Sequence, residues 1–404
     1  MNQAGALAIT YGSYNSIRML IGVYHAIFLI SAGVTLPQLA LLQVVFSATI
    51  LLLDFPFAVL ADRYRRKYSV VAGVLLTGLF YPLCLQAPDM VALILSEIFY
   101  AAGICLITGA IDGWVFHSLG EKQDSFSHYA HLCQRVSSVG SVIAGVIGIG
   151  TIYLSGQYHL GYIISSIMML IIFISFIMIK EEKRTQPSHI EKKSILQNAT
   201  ETLWIFKNTV GGKWFILLIC FFSTGIQIIY HFWQPIILAG KNFTKIDDAQ
   251  MLILMFCHVG AFSAQYFSNS LMSKYHVADE KYKKTVKYFS FISALMCVFL
   301  YLFVNNNNTV LAIIAFSLIH GFICAVPIGA KSLFFSELNP DQTNHVSGLV
   351  GAVSFSGRIF SIAVLSIISL LPDNLDPSYY LVVPAVSFLL CGIVFIKWMT
   401  IFRK

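Results

Sequence analysis

Long apolar runs separated by short polar segments fill this chain of 404 residues from end to end. A helix needs about 20 apolar residues to cross a hydrocarbon layer. With that length as a ruler, the pattern predicts spans near 9–30, 37–60, 68–87, 90–116, 127–155 and 159–179. After a polar interval it predicts 214–238, 248–272, 286–304, 309–335, 344–370 and 378–400. The expectation is an all-α membrane protein with twelve transmembrane helices in two six-helix bundles, 1–179 and 214–404, joined by a linker at 180–213. The runs starting at 90, 127, 309 and 344 are long enough to be tilted.

Composition agrees with the pattern. Hydrophobic residues make up 57% of the chain and charged residues only 11%, against about 25% charged in ordinary soluble domains. A soluble protein of this length needs a charged exterior, whereas a membrane helix satisfies its backbone internally and needs none. The net charge of +7 does not point to nucleic acid, because the basic residues sit in short segments between apolar runs and form no stripe with interleaved aromatics. Cys84, Cys105, Cys133, Cys220, Cys257, Cys297, Cys324 and Cys391 each stand alone inside an apolar run. They have no metal-ligand spacing and are expected to be packing residues. No cofactor or metal is expected.

Orientation follows from Lys and Arg. One set of segments carries Arg63, Arg65, Arg66 and Lys67, then Lys180, Lys183, Arg184, Lys192, Lys193, Lys207 and Lys213. It continues with Lys274, Lys281, Lys283, Lys284 and Lys287, and ends with Lys397, Arg403 and Lys404. The opposite segments hold Lys241 and Lys245 beside Asp247 and Asp248, and uncharged stretches such as 305–308. Both termini are therefore expected in the cytoplasm. The N-terminus lacks a charged n-region and a small-residue cleavage site, so the first helix is expected to be retained. In the linker, Leu196, Leu203, Trp204 and Phe206 give an amphipathic stretch that either lies on the cytoplasmic membrane surface or packs on the bundle ends.

The segment between the second and third spans carries the most specific signal. It runs from Asp54 through Leu60, Ala61, Asp62 and Arg63 to Arg66 and Lys67, and it resembles the signature loop of the major facilitator superfamily. Ala58 and Arg65 stand where that pattern has glycines. The resemblance implies the MFS fold and a secondary transporter working by alternating access, with Asp62, Arg63 and Arg66 in a gating latch. Arg65 and Lys67 are assigned to fixing topology. Helix four resembles bacterial exporters in Gly109, Asp112 and the residues around them, with His117 in place of a second acid. Helix five has Gly140, Gly145, Gly148 and Gly150, but Thr151 where the exporter pattern has proline. Helices five and eleven also share a motif, around Gln134, Arg135 and Gly140 in one and Ser356, Gly357 and Arg358 in the other.

Ionisable residues inside apolar runs are the candidate functional groups, because they cost a few kcal/mol each on insertion and tend to face a cavity. Arg18, Asp54, Asp112 and Arg135 fall at similar depth, about 7–14 Å from the inner ends of their helices. They read as a compensated network, either purely structural or part of the cytoplasmic gate. His25 and Glu97 fall about 8–11 Å from the outer face, where a His beside a buried acid suits proton coupling; simple packing is the other reading for His25. Arg358 sits near the middle of helix eleven with no acid at its level in that half. Its expected partner is water, a carbonyl, Glu97 or an anionic substrate. Gln227, His231 and Gln234, with Tyr230 and Trp233, give helix seven a polar-aromatic face suited to an organic substrate; Trp233 also reads as an interfacial anchor.

No nucleophile elbow, zinc-protease motif or phosphate-binding loop is present, so the chain is expected not to be an enzyme or an ATP-driven pump. The first functional expectation is proton-coupled efflux of a small organic solute, such as a drug, siderophore or peptide-type antibiotic, including self-immunity. The second is uptake of an anionic metabolite by proton symport, and the class outside transport is a membrane sensor or scaffold. Expected partners are a small-molecule substrate, the proton and the lipid bilayer. A monomer in a bacterial inner membrane is expected, with no nucleic acid.

Overall fold

The computed structural model describes residues 3–63, 66–118, 123–181, 211–239, 247–272, 274–275, 279–336 and 346–402. Among them the chain is helical throughout, and ten helices are long and apolar enough to cross a membrane. The first helices are α1 (Gln3–Gly22), α2 (His25–Ser31), α3 (Leu36–Arg63), α4 (Arg66–Cys84), α5 (Met90–Ser118), α6 (Gln123–Ser155) and α7 (His159–Met178). Then come α8 (Gly212–Ile237), α9 (Asp248–Met272), α10 (Glu280–Asn305), α11 (Thr309–Ser336) and α12 (Val346–Ile368). A 3-10 turn at Pro377–Leu381 leads into α13 (Val382–Phe402). Most of the linker expected at 180–213 lies outside the described residues.

The first predicted span differs from the single helix expected at 9–30. It is broken after Gly22, Tyr24 leaves helical geometry at φ −141°, and α2 restarts at His25. The break is held by tertiary contacts. The Tyr24 ring packs on Tyr158 and Tyr162 at 5.8 and 6.2 Å, and its hydroxyl donates to the Tyr158 carbonyl at 3.3 Å. Counting α1 and α2 as one broken span, the described helices follow the six-gap-six order of the hydropathy pattern.

The chain divides into two compact units, Met1–Lys192 with Phe243–Met251, and Lys193–Asn242 with Leu252–Lys404. In the first unit α1 packs on α6 and α7, α4 packs on α5 and α7, and α3 packs on α5. In the second, α8 packs on α12 and α13, and α10 packs on α11 and α13. The pairing of the first six spans therefore recurs in the second six. This is the parallel internal repeat of two-bundle transporters.

Close helix contacts rest on small residues, as membrane interfaces require when no hydrophobic force separates helix from lipid. A Cβ on Gly73 of α4 would lie 2.6 Å from the Gly103 carbonyl of α5. Gly140 of α6 faces Ser16 of α1, and Gly148 of α6 faces the Leu20 carbonyl. In the second unit Gly357 of α12 faces Ser223 of α8 in the same manner. Gly140 and Gly357 thus each meet a serine on the first helix of their own repeat, although one follows Arg135 by five positions and the other directly precedes Arg358. All eight cysteines are buried and unbridged.

Candidate functional site

Arg18 lies four residues after Tyr14 on α1, so both occupy one helix face. Its Nε donates to the Tyr100 hydroxyl at 2.7 Å, and a terminal nitrogen donates to Asn15 Oδ1 at 3.2 Å. The guanidinium lies 5.6 Å from the Tyr14 ring centre and 5.0 Å from that of Tyr100. Both rings are fixed from behind. The Tyr14 hydroxyl is 3.0 Å from Thr77 Oγ1, and Tyr100 stacks on Phe80 at 4.5 Å and meets Phe46 at 5.6 Å. Among the described residues every group holding Arg18 is neutral. Of the other members of the expected charge network, Arg135 is exposed on α6, and Asp54 is half-buried with a partner of its own. The Asp112 side chain lies outside the described residues.

Nearer the α2 end of the same bundle, His25 shares a 2.6 Å hydrogen bond with the Tyr162 hydroxyl and packs on Phe80 at 5.6 Å. Glu97 of α5 is 4% exposed and lies within electrostatic reach of Tyr162 and Cys84. Among the described residues no basic side chain pairs with it. The arrangement is therefore His25, Tyr162 and Glu97 around one aromatic cluster, with Tyr162 as the residue both groups approach.

At the other end of the bundle, Asp62 and Arg63 close α3, with their side chains outside the described residues. Arg66 and Lys67 open α4. Their backbone N–H groups donate to the Glu181 carboxylate at 3.1 and 3.4 Å, so an acid just beyond α7 caps the α4 N-terminus. Lys67 Nζ reaches back to the carbonyls of Ile177 and Ile179 at 2.6 and 2.8 Å. Cation and anion thus satisfy opposite helix ends. Lys67 has a packing role beyond fixing topology, and Gln3 adds a bond from its side chain to the Lys180 carbonyl.

In the second unit Gln227 and Gln234 are buried at 7% and 3% exposure, and the Gln227 side-chain oxygen has no hydrogen-bond partner. His231 and Arg358 are half-buried, and each has a partner within the fold. Two histidines escaped sequence reasoning. His258 and His320 are buried beside Phe262, at ring distances of 4.7 and 5.4 Å, and Tyr230 lies 5.2 Å from His320 with its hydroxyl 3.2 Å from Cys324 Sγ. They sit singly in apolar runs, and only packing joins them. In the first unit Asn15, Tyr100 and Tyr162 were also missed; the Tyr14–Arg18 spacing was the one signal available. Among the described residues no cluster of three metal-ligating side chains exists.

A repeated two-bundle helical membrane fold with ionisable groups held inside it defines a solute transporter rather than an enzyme. The sequence pattern of the Major Facilitator Superfamily matches residues 6–362, and the chain belongs to that superfamily. A stretch of 238 residues is 26% identical to an uncharacterized MFS-type transporter, YxaM of Bacillus subtilis (strain 168), covering 55% of this chain and 57% of that relative. The match thus spans little more than half of the relative's length. The fold is similar to that of the nucleoside transporter NupG, with TM-score 0.69 and 12% identity over 100% of both chains. It is also similar to the E. coli fucose:proton symporter FucP, with TM-score 0.61 and 17% identity over 98% of this chain and 97% of that one.

Proposed function

We propose that this chain is a proton-coupled exporter of a small organic solute, working by alternating access in a bacterial inner membrane with both termini in the cytoplasm. The observation that carries the coupling is Glu97, a carboxyl 4% exposed within a membrane helix and lacking a basic partner among the described residues. Such a group is neutral when protonated and costly when charged, so loading and releasing its proton changes which state of the bundle is favoured. His25 and Tyr162 supply an exchangeable-proton path beside it. FucP, of similar fold, is a fucose:proton symporter, which supports coupling but not direction. In this reading Asp62, Arg63 and Arg66 form the gate with Asp54, Asp112 and Arg135, while Gln227, His231, Gln234 and Arg358 contact the solute from the second bundle. The exporter-like residues of helix four favour efflux of a drug, siderophore or peptide-type antibiotic.

Uptake of an anionic metabolite by proton symport is the second reading, and one observation favours it: Arg18 is a membrane-embedded cation that, among the described residues, is held by neutral groups. Metabolite profiles of cells overproducing the chain separate the two. Export depletes a solute inside and enriches it in the medium, and dissipating the pH gradient abolishes the difference; uptake reverses the sign. A difference that survives dissipation of the pH gradient contradicts proton coupling in either direction.

A further inference from the structure

We propose that Arg18 is the anchor of a solute-binding site within the N-terminal bundle, and that the cargo carries an oxyanion, a carboxylate or phosphate, on a planar or aromatic body. This rests on the reading of the chain as a small-molecule transporter and adds the substrate class. A guanidinium has five N–H donors. Among the described residues two are engaged, one by Tyr100 and one by Asn15, and both acceptors are neutral. The rings of Tyr14 and Tyr100 flank the cation at 5.6 and 5.0 Å, and they stabilise its charge without neutralising it.

The position is central. Tyr100 lies about 15 Å along α5 from Met90 at 1.5 Å per residue, so the cation sits well inside the bundle, where an Arg is expensive and usually functional. The Tyr100 and Asn15 bonds fix the plane of the fork. The donors left over suit a two-oxygen anion, which a guanidinium grips through parallel bonds. The rings of Tyr14 and Tyr100 flank the fork, and Phe46 and Phe80 pack on Tyr100 behind them. That surround fits a flat organic anion better than a small inorganic one.

The test is equilibrium binding to the purified full-length protein in detergent, by thermal shift and calorimetry, with benzoate, phenyl phosphate and the neutral analogue benzamide as probes. At least one of the two anions is expected to bind to the wild-type protein and benzamide not to. Arg18→Gln should weaken anion binding by about tenfold or more, and Arg18→Lys, which keeps the charge but loses the fork, should fall between. The wild-type comparison of anion with amide stands even if Arg18→Gln fails to fold. The proposal is overturned if neither anion binds, if benzamide binds equally, or if Arg18→Gln binds the anions as the wild type does. Arg18-dependent stabilisation by phosphatidylglycerol with no response to either soluble anion would assign the site to a lipid headgroup and overturn the solute assignment. Because binding is measured at equilibrium, failure here leaves the proton-coupling reading standing, and a failed flux assay leaves this site standing.

Discussion

A double-mutant cycle on Arg18 and Tyr100 tests whether the neutral cradle is energetically real. Tyr100→Phe deletes only the hydroxyl that accepts from Arg18 Nε at 2.7 Å. It keeps the ring that stacks on Phe80 at 4.5 Å and flanks the guanidinium at 5.0 Å. Arg18→Met keeps the stem and removes the charge. In soluble proteins a hydrogen bond to a charged group contributes about 1.5–3 kcal/mol. Interhelical bonds inside membranes average about 0.6 kcal/mol and reach about 1.7 kcal/mol. The charged donor and the short distance place this pair toward the upper end, so the coupling energy is expected at about 1–2 kcal/mol. Arg18→Met alone should be neutral or stabilising, because it removes a desolvated cation that no acid among the described residues compensates. The assay is reversible unfolding of the full chain in mixed micelles, followed by helical circular dichroism. Effects that add within about 0.3–0.5 kcal/mol, or a large loss of stability from Arg18→Met, would refute the geometry described here.

Other outcomes follow from packing. Gly148→Leu drives a side chain into the Leu20 carbonyl of α1 and should destabilise the first bundle by about 1–3 kcal/mol or more; Gly150→Ala, with nothing within 4 Å of its added carbon, should be silent in the same thermal-shift measurement. All eight cysteines are buried, so maleimide labelling of the native protein in detergent should be slow at every one and become fast on unfolding in SDS. Tyr162→Phe removes the 2.6 Å bond to His25 and should destabilise the protein by about 1 kcal/mol; an unchanged melting curve would contradict that contact.

The spans were legible because one physical ruler, the hydrocarbon thickness, sets their length, and the ends at Leu36, Met90, His159, Asp248 and Thr309 fall within a residue of the apolar runs. The break at Tyr24 was not legible. Residues 19–30 read as one apolar run, and the ring contacts with Tyr158 and Tyr162 that hold the bend come from a helix more than a hundred positions away. Helix α10 begins at Glu280, ahead of the apolar run, because its first turns are charged and project beyond the hydrophobic stretch that hydropathy detects. Of the α6 glycines compared in sequence with an exporter pattern, Gly140 and Gly148 are contacts with α1, whereas Gly150 has nothing within 4 Å.

For the candidate site, sequence depth grouped residues by level but not by direction. Arg18 and Arg135 share a level, yet one turns into an aromatic cradle and the other is exposed. His25 and Glu97 share a level, yet the His hydrogen-bonds Tyr162. Tyrosine is the residue type that sequence reasoning undervalued: it serves as packing and as hydrogen-bond partner at once, so its polar role shows only when the neighbouring helices are in place.

Whether Glu97 couples solute movement to protons is read from transport by the full chain in proteoliposomes, using the solute identified by metabolite profiling. Wild-type protein should exchange that solute across the membrane and accumulate it when a pH gradient is imposed. Glu97→Gln, neutral at every pH, should retain exchange and lose the gradient-driven accumulation. Gradient-driven accumulation by Glu97→Gln at the wild-type rate would contradict the account.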